Sequence, residues 1–144
     1  QGGAVGGVAI TTTQDAMNRL EFNSFNKNQV QNGLGCAIQC VAGTFTARSN
    51  IMSENATATN MEQVGGTCLH TYSIARPGTM PVGIGNSNAD PRFANTTTGD
   101  LHVMPGSPAL GAADPGSSLT GVAEFDIDRQ KRTTPADMGA DEVP

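Results

Sequence analysis

Asn23-Ser24-Phe25-Asn26-Lys27-Asn28 and Asn50-Ile51-Met52-Ser53-Glu54-Asn55 carry asparagine at both ends with an apolar residue inside, and the two hexapeptides lie 27 residues apart at each end. Upstream, Gly7-Val8-Ala9-Ile10 returns as Gly35-Cys36-Ala37-Ile38 at an offset of 28, and more loosely as Gly66-Thr67-Cys68-Leu69 at a further 31. A period of 27 to 31 residues built from strand and turn signals, without helices, is the mark of a solenoid. Leucine-rich repeats need a regular Leu pattern, and ankyrin or tetratricopeptide repeats need two helices per unit; this sequence has neither. A right-handed parallel β-helix fits, each coil supplying two or three short strands stacked about 4.8 Å apart. Stacking lets the side-chain amides of Asn23 and Asn50, and of Asn28 and Asn55, hydrogen-bond up and down a ladder while filling a tight turn. The same step sets Glu21 near Arg48 and Lys27 near Glu54 as exposed ion pairs, worth roughly 0 to 1 kcal/mol each.

The rest of the chain agrees with an all-β class. Leu, Ile, Val and Phe supply 26 of 144 residues, a shortage that fits a narrow coil filled by Ala, Gly, Thr, Asn and Cys. The net charge of −5 is too small for disorder. The 18 Gly, 8 Pro, 16 Thr and 11 Asn make a turn-rich composition poor in helix formers. Strand-like runs fall at Leu20 to Phe25, Gly35 to Val41, Phe45 to Met52, Thr67 to Ile74, Leu101 to Met104 and Val122 to Ile127. Thr12 to Leu20 reads as a loop excursion. Two lysines give no basic patch for nucleic acid, and no apolar run is long enough for a membrane helix. The first residues lack the basic start and apolar stretch of a signal peptide. A start at Gln1 without Met is expected of a processed product or of a piece of a longer chain. The organisation expected is coils over 1–85, then a terminal coil and closing segment over 86–144.

From Gly85 onward a fixed order of motifs adds to this reading. Gly85-Asn86 is followed by Asn88-Ala89-Asp90-Pro91-Arg92-Phe93, then by Gly99-Asp100-Leu101-His102-Val103 and Pro105-Gly106-Ser107-Pro108-Ala109-Leu110. Asp126-Ile127-Asp128, Arg132 and Asp137-Met138-Gly139-Ala140-Asp141-Glu142 complete the order. It resembles the C-terminal end of bacterial secreted or surface β-helix proteins of the pectin-lyase-like superfamily. The resemblance implies the last three or so coils of a longer β-helix, closed by an irregular segment in which Asp90, Pro91, Ser107, Pro108, Asp126, Asp128, Arg132, Asp137, Gly139 and Glu142 hold the turns. The chain departs from that pattern at Gly111, where Asp is usual, near Ala113, where Gly is usual, and at Arg129, also a usual Gly. The closing segment is expected to cover one end of the stack. The other end presents an open strand edge to upstream coils of the same protein or to another chain.

No catalytic constellation emerges. Arg48, Arg76 and Arg92 are isolated, and His70 and His102 read as surface or turn histidines. Asp126, Asp128 and Asp137, with Asp141 and Glu142, are acidic enough for an irregular Ca²⁺ site. An EF-hand is excluded by Lys131 and Asp137 at its sixth and twelfth positions, and the competing reading has Arg132 and Lys131 neutralising these carboxylates. No cofactor is expected. Cys36 and Cys40 stand too far apart along one strand to bridge each other. A bridge from either to Cys68 on a neighbouring coil, with Cys40 and Cys68 as the candidate pair, stands beside free thiols packed in the interior. The function expected is structural or adhesive, in a larger extracellular or bacterial cell-surface protein whose strand faces offer Asn, Thr and Ser to a glycan or a protein. The alternative is the non-catalytic end of a polysaccharide lyase or glycoside hydrolase with its active site on upstream coils.

Overall fold

The computed structural model describes residues 7–13, 18–30, 37–57 and 61–144. Cys36 and the centre of the Thr12 to Leu20 excursion lie outside the described residues. A first pass of the chain holds β1 (Val8–Ile10), β2 (Ser24–Asn26) and β3 (Gln29–Val30). A second holds β4 (Ile38–Cys40), β5 (Thr46–Arg48), β6 (Ile51–Ser53) and β7 (Ala56–Thr57). A third holds β8 (Val64–Gly66), β9 (Leu69–Thr71) and β10 (Ile74–Arg76). Each pass lies beside the next in parallel register, giving the sheets β1-β4-β8, β2-β6-β10, β3-β7 and β5-β9. The fold is all-β, and these four sheets are parallel. The chain continues into an antiparallel pair, β11 (Phe93–Asn95) with β12 (Asp100–Val103), and then into turns.

The register corrects part of the sequence reading. Ser24↔Ile51, Gln29↔Ala56 and Glu21↔Arg48 keep the 27-residue step. Val8 faces Ile38, a step of 30 where the glycine motif suggests 28, and Leu69 pairs with Thr46 instead of with the first sheet. A slip of two residues leaves every side chain on the same face, so a small-apolar pattern does not fix register; a hydrogen-bonding asparagine does. The run Val122 to Ile127 is not a strand either. Gly121 turns at φ 65°, a 3-10 turn covers Gly121–Ala123, and Phe125 bridges Lys131.

Three apolar clusters form among the described residues, and strand alternation divides the strand side chains between two of them. Ile10, Ile38, Cys40, Phe45, Ala47, Met52 and Ala75 fill the space between the sheets, so larger residues than the composition suggests do the packing. Ile51 and Ile74 point the other way, out of β6 and β10, and are buried against Phe93, Val103, Ala109 and Met138. Burying such side chains stabilises by roughly 1.5 to 3 kcal/mol each. The closing segment therefore lies along the outer face of β2-β6-β10, a correction to the expectation that it covers the end of the stack. The third pass is covered instead by the chain around Ile84 to Ser87: Tyr72 N–H donates to Ile84 O and Ala75 N–H to Ser87 O, both at 2.9 Å. No helix among the described residues is long and apolar enough to cross a membrane.

Candidate functional site

The turns entering β2, β6 and β10 and those leaving β2 and β6 share one geometry. Phe22, Ser49 and Tyr72 sit at φ 58°, 56° and 46°, each just before Asn23, Asn50 and Ser73. Lys27 and Glu54, at φ 54° and 56°, precede Asn28 and Asn55 in the same way. None is glycine, so each left-handed residue costs on the order of 1 kcal/mol. The following side chain offsets that cost by joining the layers. Asn23 donates to Asn50 Oδ1 through both its backbone N–H and Nδ2, each at 3.0 Å. Asn50 N–H donates to Ser73 Oγ at 3.2 Å, and Ser73 N–H to Asn86 Oδ1 at 3.0 Å. Asn50, Asn55 and Asn86 each send Nδ2 back across the layer, to the carbonyls of Leu20, Phe25 and His70.

The second ladder ends differently. Asn28 donates through N–H and Nδ2 to Asn55 Oδ1, at 3.0 and 2.8 Å. Arg76 pairs with Ser53, so Pro77 takes the place of Glu54. Its ring forbids positive φ, and the turn is not repeated. Gln63, buried, substitutes: its Oε1 accepts from Asn55 N–H and Nδ2, while its Nε2 donates to Asn55 O and Pro77 O. Gln63, Ser73 and Asn86 are ladder members that a search for repeated asparagine misses. Ser73 was open to detection through the shared pattern of a small polar residue followed by Ile at 50–51 and 73–74.

The ion pairs Arg48–Glu21 and Lys27–Glu54 stand at 3.5 and 3.6 Å. The second is exposed, as expected. The first is not: the Glu21 side chain is only 9% accessible, and burial raises its carboxyl pKa against the pull of Arg48. Arg48 also reaches Asp114 at 3.7 Å, which ties the closing segment to β5.

Within the closing segment, Arg132 is buried. It lies 4.4 Å over the Phe22 ring and donates to the carbonyls of Gly139, Ala140 and Asp141 and to Glu142 Oε2 at 3.4 Å. Burial lowers its pKa. Glu142 also accepts from Thr133 N–H and Oγ1 and from Asp137 N–H. Asp137 accepts from Gly111 and Val143 N–H, and burial raises its pKa. Lys131 pairs with Glu124 at the surface, so Arg132 alone is the internal cation here. Gly139, at φ 91°, donates to Ser49 O and comes so close to β2 and β6 that a Cβ would stand 2.7 Å from Ile51 Cδ1 and 2.8 Å from Ser24 Oγ. Ser107 Oγ donates to Pro91 O at 2.6 Å, joining two further residues of the closing set. Asp90 accepts from Arg92 N–H and meets Arg76 at 3.2 Å. Arg129 adopts φ 66°, a left-handed conformation that glycine takes up more freely.

Asp126, Asp128 and Asp137 do not share one site. Asp126 accepts from the N–H groups of Asp128, Gln130 and Glu142. Asp128 turns instead to His102 Nε2, at 2.9 Å, while Asp100 holds His102 Nδ1. Ligand atoms of His102, Asp128 and Asp141 lie within 4.8 Å of one another. The flanking carboxylates, Asp100 first, raise the His102 pKa and so favour a protonated ring that donates to Asp100 and Asp128. Asp141 is further fixed by Val103 N–H at 2.8 Å. His70 is the reverse case and corrects the surface reading: it is buried, and desolvation lowers its pKa to about 4. Cys40 and Cys68 are joined by a disulfide with Cα atoms 5.4 Å apart, linking the end of β4 to the start of β9. The outer face of β2-β6-β10 is covered by the closing segment at Ile51 and Ile74, and Ser24 accepts from Ala140 N–H. Comparison with protein-family models, with curated proteins and with solved structures finds no match.

Proposed function

We propose that the three passes are the last coils of a right-handed parallel β-helix. In this reading the chain is a structural or adhesive portion of a larger extracellular or cell-surface protein, with further coils or another chain seated on its first pass. The observation that carries this is the commitment of polar side chains to structure. Asn23, Asn28, Asn50, Asn55, Gln63 and Ser73 bond layer to layer, while Arg132, Asp137 and Glu142 bond the closing segment to itself. A glycoside hydrolase needs two carboxyl groups roughly 5 to 10 Å apart across the scissile bond, and a lyase needs a base at the uronate. The carboxylates described above are held instead by backbone N–H groups, arginine, lysine or histidine.

The test is depolymerisation of acidic polysaccharides by the purified chain, followed by new reducing ends and by absorbance of unsaturated products. No release above a heat-denatured control is expected. Turnover that disappears on changing Asp100 or Asp128 to Asn would overturn the structural reading.

A further inference from the structure

The first pass turns a set of pairing groups away from the stack. Among the described residues, β1, β2 and β3 are each paired on one side only. Asn50 Oδ1 and Asn55 Oδ1 each accept two bonds from the layer beneath. The matching atoms, Asn23 Oδ1 and Asn28 Oδ1, accept none from the described residues, although both side chains are held in place by their donors. The repeated geometry defines what each lacks: a backbone N–H one layer lower, at the same point of the turn. Next to this edge an open depression runs between Glu21, Phe22 and Asn23 on one side and Val122, Phe125 and Ile127 on the other. These three apolar side chains are exposed, Val122 completely. One and two layers higher, the outward residues Ile51 and Ile74 are covered by the same closing segment.

We propose that this edge docks one further parallel pass, an extended segment with the rung sequence Asn-x-apolar-x-x-Asn carried in cis ahead of β1. Asn23 and Asn28 set its register, and Val122, Phe125 and Ile127 cover its outward face. The inference rests on the β-helix reading above and adds the occupant and its register. Successive passes follow one another in sequence, so the layer beneath the first belongs before it. A second copy of the chain fits less well. It would present its opposite end, where Gly78 stands at the second-ladder position without a side-chain amide, Gln63 already fills that rung, and Asn86 occupies the first ladder.

The test extends the whole chain by its own second pass. A copy of residues 38–57 placed directly ahead of Gln1 leaves seven residues before Val8, the same spacing that residues 31–37 give between β3 and β4. Ile51 N–H donates to Asn23 O, and Ala56 N–H to Asn28 O. By equivalence, Ser24 and Gln29 N–H should donate to the added layer, and their hydrogen exchange should slow by about tenfold or more. The extended chain carrying Asn23→Ala and Asn28→Ala should lose most of that gain. Unchanged exchange at Ser24 and Gln29, or an added segment that proteases remove as readily as a scrambled one, overturns the proposal. So does an unextended chain that sediments as a dimer with Ser24 and Gln29 already protected, since the occupant is then a second copy. Protection of Ile51, Ala56 and Ile74 in the unextended chain reports the stack separately. If those amides are protected and the extension adds nothing, docking fails while the β-helix reading stands.

Discussion

His70 occupies a position that one residue type makes sensitive to acid. It pairs with Ala47 across β5 and β9, and Ala47 belongs to the interior core. Its Nδ1 is buried without a partner. Burial holds the folded imidazole neutral down to about pH 4, whereas in the unfolded chain it takes up a proton near 6.5. Between these values the unfolded state binds more protons, so stability is complete above about pH 6.5 and falls as pH drops toward 4. Urea denaturation at pH 7 and pH 4.5 should differ by about 2 to 3 kcal/mol from this group alone. His70→Leu should remove that part of the difference, and an unchanged slope would mean that His70 is not held neutral. His102 runs in the opposite sense, with a pKa raised by its carboxylates, and its exposure keeps its effect on stability small. A sequence does not separate these two histidines. Each follows a leucine within a short strand, and only the strand register shows that one faces inward.

At the scale of the element, the ladder sets the value of each rung by its depth. Asn55 is fully buried, and its side chain accepts from Asn28 while donating to Phe25 O and Gln63. Asn55→Ala should cost about 2 to 4 kcal/mol, because it strands several buried donors and acceptors at once. Asn23→Ala, at the open edge and only partly buried, should cost only about 1 kcal/mol. Chemical denaturation of the two variants side by side checks the difference, and equal costs would mean that the rungs act one by one and not as a ladder. These rungs were legible because asparagine repeats at a constant 27 residues in the first two passes. The third pass shortens the step to 23 and replaces asparagine with serine and glutamine. Its turn chemistry survives the change, but its residue identity does not.

At the scale of the whole molecule, two apolar surfaces meet at the sheet β2-β6-β10. Its inner face is part of the core between the sheets, and its outer face is stable only while the closing segment lies over Ile51 and Ile74. The sequence suggested such a segment but not where it lies. Its contacts pair residues far apart in the chain, Gly139 with Ser49 and Ala140 with Ser24, and no local pattern encodes them. Arg132 holds the segment in shape, with its head bonded to three carbonyls and Glu142 and its face on Phe22 of the first pass. Arg132→Ala leaves the Glu142 carboxylate buried without its cation and should cost about 3 to 5 kcal/mol. Arg132→Met with Glu142→Gln, which removes both charges and keeps most of the volume, should recover a large part of that loss. The single variant should also release the closing segment before the stack unfolds, exposing Ile51 and Ile74 to a hydrophobic dye and the region 121–142 to limited proteolysis. If the single variant instead unfolds in one step with no dye-binding intermediate, the closing segment and the stack form one cooperative unit, and Arg132 stabilises the whole of it.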